Sequence, residues 1–249
     1  MKGWLLFYLL VLVRILALFS SMPLINQKKL PSIWKVAVAL LFTLILAPLL
    51  TPREFQPHPV WVVLAVIWEG VVGLSLGLVF TSAVGAVLSA GSLIDMQMGF
   101  SNASILNPGG DQPEPLVASF YRSLFLLSAL VGGFHLAMIR VLLESFNWFP
   151  VGVVLHRFKD LGTFGLLVVD KFFVSLVWMV LPVSLALLAV EVCLAFLSRV
   201  LPQMNMLIAA APFRVLAGFV LLILALPLTL DLMSKVLMFH LGAVEVLRV

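Results

Sequence analysis

Arg14, Glu69, Asp95, Arg140, Glu144, Glu191, Arg214 and Asp231 stand inside or at the margins of long apolar segments. A charge at the middle of a bilayer costs at least about 2.5–3.5 kcal/mol on insertion scales, so each of these side chains must face protein or water. Two chemistries use such residues. Acids can pass protons along a relay, and opposite charges can pair to fasten helices together. Arg140 and Glu144 have the i,i+4 spacing that lets them meet on one helix face, which favours pairing. The acids are spread over different segments without a repeated spacing, which argues against a relay. His58, His135, His156 and His240 are far apart, with no two at the spacing of a helical metal site. Cys193 is the one cysteine and can form neither an internal disulfide nor a cysteine metal cluster. No glycine-rich phosphate loop or clustered nucleophile is visible, so no catalytic residue, cofactor or metal is expected.

The elements that position these charges are set by composition. Of 249 residues, 63% are hydrophobic and 10% charged, with a mean hydropathy of +1.21; soluble domains average about 45–50% apolar and about 25% charged. Too few polar residues remain to coat a water-soluble globule, which excludes a soluble enzyme. The formal charge of +4 is scattered, giving no patch for nucleic acid and suiting anionic membrane lipid at most. Apolar segments run about 4–22, 36–50, 60–88, 116–143, 172–197 and 206–230. Against roughly 20 residues per crossing, these predict an all-α polytopic membrane protein of about six long, partly kinked helices. The segment 36–50 is brief, whereas 60–88 continues smoothly toward Asp95. The start, Met1-Lys2 and then Gly3 to Val13, superficially resembles a signal peptide. Because Arg14 interrupts the run and no A-x-A-like site follows, it is expected to be a retained first helix. Alternate connections collect Lys28, Lys29, Lys35, Arg122 and Arg199 on one side and Lys2, Arg53, Arg157, Lys159, Lys171, Lys235 and Arg248 on the other. So weak a bias sets no orientation and is what helix hairpins packed on partner proteins would give.

Gly73, Gly77, Thr81, Gly85 and Ser89 recur every four residues, with Glu69 one step before them on the same row. Such a ridge lets another helix backbone approach closely; its partner could lie in this chain or in another. The ridge leads into 90–102, where Met96, Met98, Gly99 and Phe100 mix with Asp95, Gln97 and Asn102. Flexible methionines, a bendable glycine and a bulky ring suit a deformable seal, but from the residues alone ordinary packing of Met96, Met98 and Phe100 between helices is the favoured reading. Pro182, Pro212 and Pro227 remove backbone donors within the last two segments and are expected to kink them.

In order along the chain, these features resemble the FliR family of flagellar type III export apparatus proteins. The resemblance rests on 14-RILAL-18 with Pro23 and Pro31; on Ala90-Gly91, Ile94-Asp95, 97-QMGF-100 and Asn107-Pro108; on Phe120-Tyr121, Gly133, His135, Ser145-Phe146 and Pro150; and on Pro182, Arg199, 202-PQMN-205, Pro212, Arg214 and Gly218. Phe134-His135 stands for the family's histidine pair, and Ala210-Ala211 replaces a bulkier dipeptide. The resemblance implies one helical domain over 1–249, arranged as hairpins, with 1–170 similar to FliP and 171–249 a helix pair similar to FliQ. It implies assembly with FliP and FliQ and association with FlhB in the inner membrane, within the basal body, as an export gate that passes unfolded flagellar proteins and is not an enzyme. Met96, Met98, Gly99, Phe100, Asn107 and Pro108 become candidates for the gate plug. Arg14, Glu69, Gly73, Gly77, Gly85, Asp95, Arg140, Glu144, Arg199, Gln203, Asn205, Pro212 and Arg214 become candidates for helix packing or subunit contact. The homologous subunit of a virulence injectisome and, in a different class, a proton-coupled small-solute transporter are the alternatives.

Overall fold

The computed structural model describes residues 2–22, 31–50, 58–100, 115–154, 158–200 and 206–247. Among them there is no strand. Seven α-helices follow one another: α1 (Lys2–Ser21), α2 (Ser32–Leu46), α3 (Pro59–Met98), α4 (Leu116–Val131), α5 (Phe134–Trp148), α6 (Phe158–Val200) and α7 (Met206–Leu241). Two 3-10 turns, Ala47–Leu49 and Val244–Leu247, complete the described elements. Four helices are long and apolar enough to cross a membrane, or five if α4 and α5 form one broken span. The chain is thus an all-α polytopic membrane protein.

Local chemistry explains the boundaries. Pro48 lies within the 3-10 turn that ends α2; it lacks a backbone donor and disfavours helix in the residue before it. The segment expected at 116–143 is two helices, divided at Gly132-Gly133, with Gly133 in the left-handed region at φ 72°. A residue with a Cβ would be strained there. Helix α3 extends past the expected end to Met98, where Gly99 at φ 88° stops it. Gly99 N–H donates to the Met96 carbonyl and Phe100 N–H to the Asp95 carbonyl, the paired bonds of a Schellman cap. Helices α6 and α7 continue through Pro182, Pro212 and Pro227.

The chain forms two compact units. The first comprises Met1–Ala83, Gly133–Lys171 and Met238–Val249, the second Val84–Gly132 and Phe172–Leu237. In the first, Phe7, Leu10, Val11, Ile15 and Leu18 of α1 are buried at helical spacing. Trp68, Val72, Leu76, Val79 and Phe80 of α3 are buried too, and Phe80 meets Phe134 of α5 edge to face at 4.7 Å. Helix α2 packs on α1, with Phe42 edge-on to Phe19 at 5.4 Å. In the second, Val87, Ala90 and Ile94 of α3, Tyr121 and Phe125 of α4, Met179 and Val183 of α6 and Met233 of α7 are buried.

Candidate functional site

The first unit is centred on Arg14, which has no exposed surface although it lies in an apolar helix. Its Nε donates to Glu69 Oε2 at 2.6 Å, Nη1 to the Ser145 carbonyl at 3.1 Å and Nη2 to the Phe149 carbonyl at 2.8 Å. The guanidinium also lies over the Phe146 ring, 4.5 Å from its centre, an attractive arrangement for a desolvated cation. Glu69 Oε1 accepts the Gly152 N–H at 2.9 Å. Gly152 holds φ 77°, a left-handed turn that aims its N–H at the carboxylate and that few other residues tolerate. Ser145 and Phe149 are at the C-terminal end of α5, where the last carbonyls and the helix dipole favour a cation. One ion pair therefore fastens α1, α3, the end of α5 and the turn after it. Each guanidinium nitrogen and both carboxylate oxygens are taken by the fold, which leaves no open position for a substrate.

The small-residue ridge supplies the close contact beside this pair. A Cβ on Gly73 would collide with the Arg14 carbonyl and the Ala17 side chain, and one on Gly77 with Ser21 and the Leu18 carbonyl. Thr81 Oγ1 donates to the Ser21 carbonyl. The ridge partner at these three positions is α1 of the same chain. Further on, Gly85 meets only the Phe172 ring, at an ordinary 3.4 Å.

The second unit holds a different arrangement at the end of α3. Asp95 is almost fully buried; its Oδ1 accepts the Val117 N–H and its Oδ2 the Ala118 N–H, both at 3.1 Å. Val117 and Ala118 begin α4, whose own N-cap, Pro115, supplies no side-chain hydrogen bond. Asp95 therefore caps α4 from another helix and places a negative charge at its positive end. Gly91 makes this possible, since a Cβ there would strike the Ala118 backbone. Gln97 Nε2 donates to Ser184 Oγ of α6. Met98 is fully buried against Gly218 of α7, Phe100 stands edge-on to Phe219 at 5.9 Å, and Met96 is 62% exposed. The plug candidates Met98, Gly99 and Phe100 thus meet at one end of α3. Asn107 and Pro108, with Gln203 and Asn205, lie outside the described residues.

The other candidate charges are partly or largely exposed. Arg140 reaches Glu144 at 3.1 Å as the i,i+4 spacing predicts. Lys235 and Asp231 make a second such pair at 2.6 Å. Arg214 of α7 approaches Glu191 of α6 only to 3.9 Å, both half exposed. Arg199 and Pro212 are exposed. Sequence reasoning assigned no site role to Ser145, Gly152 or Lys171. Lys171 Nζ donates to the Phe239 carbonyl at 2.6 Å and lies 3.8 Å from the centre of its ring. The only local signal was its basic side chain in an apolar helix. Among the described residues no three His, Cys, Asp or Glu side chains could hold a metal ion.

Fold and site together define a polytopic helical membrane protein whose buried charges tie helices to one another. The model of the family "Bacterial export proteins, family 1" matches residues 5–239, and the chain belongs to that family. Its relatives include the flagellar biosynthetic protein FliR of Pectobacterium carotovorum subsp. carotovorum, 32% identical over 92% of this chain and 87% of that protein. FliR of Escherichia coli strain K12 is 28% identical over 91% and 86%, and FliR of Bacillus subtilis strain 168 is 29% identical over 88% and 85%. The resemblance to the FliR family read from the sequence is therefore shown over nearly the whole chain.

Proposed function

We propose that this chain is the FliR-type subunit of a flagellar type III export gate, forming with FliP and FliQ, and with FlhB associated, the channel through which unfolded flagellar proteins leave the cell. The observation that carries the reading is the family match over residues 5–239, together with FliR relatives aligned over about nine-tenths of the chain. In this reading the chain sits in the inner membrane within the basal body, with 1–170 as its FliP-like part and 171–249 as its FliQ-like helix pair. It acts by steric fit and charge rather than by catalysis, and other components supply the energy.

Two physical features support it. Helices α3, α6 and α7 have 40, 43 and 36 residues; at 1.5 Å per residue each extends about 54–65 Å, well beyond a hydrocarbon core of about 30 Å. Much of their length must then be covered by protein or water. The most apolar windows of α6 and α7 are only 11% buried within the chain, against 39% and 44% for α1 and α3. Exposed Phe173, Leu185, Phe196, Leu216 and Leu224 leave apolar faces for neighbouring subunits or lipid.

Co-expression of the tagged chain with its FliP and FliQ partners, followed by native mass determination in detergent, tests the assembly. One defined complex containing all three is expected; a stable, partner-free chain sinks it. The plug assignment is tested separately in growing cells, where replacing Met98 and Phe100 by Gly is expected to raise ion permeability. Unchanged permeability in an assembled complex removes these residues from the plug.

A further inference from the structure

We infer that Gly218 is a positioning residue of the gate: its missing side chain is the socket that holds Met98 in the closed form, and export requires Met98 to leave it. The inference rests on the gate reading above and names the contact that regulates it. A Cβ built on Gly218 would stand 2.7 Å from Met98 Cγ and 2.8 Å from its Sδ, so the thioether occupies the space that any other residue would fill. Met98 has no exposed surface. Gly218 lies inside α7 and is not among the glycines at positive φ, so backbone conformation does not explain it. Glycine in a helix interior is destabilising relative to alanine, and the space given to Met98 is what the position gains.

Met98 is also the last helical residue before the Gly99 cap, where the chain can change direction without breaking hydrogen bonds in the helix interior. The turn that carries it touches three helices. Asp95 holds α4, Gln97 holds Ser184 of α6, and Met98 with Phe100 holds Gly218 and Phe219 of α7. The first two are hydrogen bonds of fixed geometry. The α7 contact is apolar, and a flexible thioether can leave and re-enter such a socket, which makes it the separable one.

The test uses the full chain in its export complex, with Cys193→Ser removing the native thiol and Met98→Cys with Gly218→Cys added. Met98 Cγ lies 2.7 Å from the Gly218 Cβ position, so the two Cβ atoms fall within disulfide reach. Mild oxidation with copper phenanthroline is expected to form the disulfide and to cut export at least tenfold, and reductant is expected to restore it. Absence of the disulfide in the assembled complex overturns the socket. A disulfide that forms without slowing export overturns the opening step while leaving the socket. If the reduced double cysteine variant does not assemble, Gly218→Ala decides: its Cβ displaces Met98 from the socket, so a fivefold or greater rise in ion permeability of growing cells at parental complex yield supports the inference, and parental permeability overturns it. Failure of the gate reading itself shows elsewhere, in unchanged permeability of the Met98 and Phe100 glycine variants.

Discussion

Helix α3 buries two carboxylates, and the two units neutralise them by different means. Glu69 is matched by a full cation, Arg14, and by one backbone N–H, whereas among the described residues Asp95 is matched by two N–H groups at the start of α4. The separations differ as well. Glu69 and Arg14 join residues 55 to 135 positions apart, while Asp95 reaches 22 and 23 positions along the chain. A buried ion pair costs several kcal/mol per ion in desolvation, which is recovered only if both partners and their remaining hydrogen bonds are in place. A carboxylate on a helix end is a smaller arrangement, stabilised by two hydrogen bonds and a partial charge. The first unit is therefore closed by an all-or-none contact and the second by a local cap.

The contrast breaks most sharply at Arg14. Arg14→Ala or Glu69→Ala leaves an unpaired buried charge and is expected to cost about 3–5 kcal/mol, read as loss of accumulated protein and a lower melting temperature in detergent. Arg14→Lys should remain well below the parent, because one ammonium cannot reproduce a planar group that serves three acceptors. The joint replacement Arg14→Met with Glu69→Leu should be milder than either single alanine. Additive losses in that double variant would mean that Arg14 and Glu69 do not act as one buried pair.

Next in size is the glycine contact beside it. Gly73→Ala forces a Cβ against the Arg14 backbone and is expected to destabilise by about 1–3 kcal/mol. Gly165→Ala, in the same unit but with nothing within 4 Å of its Cβ position, should be neutral or stabilising by up to about 1 kcal/mol. Equal melting shifts for the two would mean that the ridge does not dock on α1.

What could be read from the sequence follows the range of the interaction. The apolar segments, the Arg140–Glu144 pair and the existence of the small-residue ridge all depend on spacing within one helix, and the structure contains them. That α1 is the ridge's partner, and that Arg14 is Glu69's, depends on tertiary register, which no periodicity encodes. The end of α5 was illegible for the same reason, since Ser145 and Phe149 act through backbone carbonyls that every residue possesses. The break at Gly132-Gly133 was legible and overlooked: paired glycines mark turns, but the apolar run on both sides reads as one span. Helix α6 begins at Phe158 rather than near Phe172, because Lys159, Asp160, Asp170 and Lys171 hide helix from a reading based on hydropathy.

Asp95 and the outer pairs give the smaller effects, and their ratio sharpens the comparison. Asp95→Ala uncovers two N–H groups of α4 and is expected to cost about 1–2 kcal/mol. Asp95→Asn keeps one acceptor oxygen and should fall between that variant and the parent. Loss as large as that of Glu69→Ala would mean that Asp95 does more than cap. Arg140→Ala and Lys235→Ala remove partners of i,i+4 pairs whose side chains are 75% and 61% exposed. Exposed pairs of this kind contribute about 0.2–1 kcal/mol and are screened by salt, so both variants should melt within about 0.5 kcal/mol of the parent when the chain is alone in detergent. The same variants measured in the assembled complex carry the further information. If Arg140 or Lys235 meets a neighbouring subunit there, its solvent screening is lost and the alanine variant should lower complex yield while leaving the isolated chain's stability unchanged. Equal behaviour alone and assembled would place these two charges on surfaces that no subunit covers.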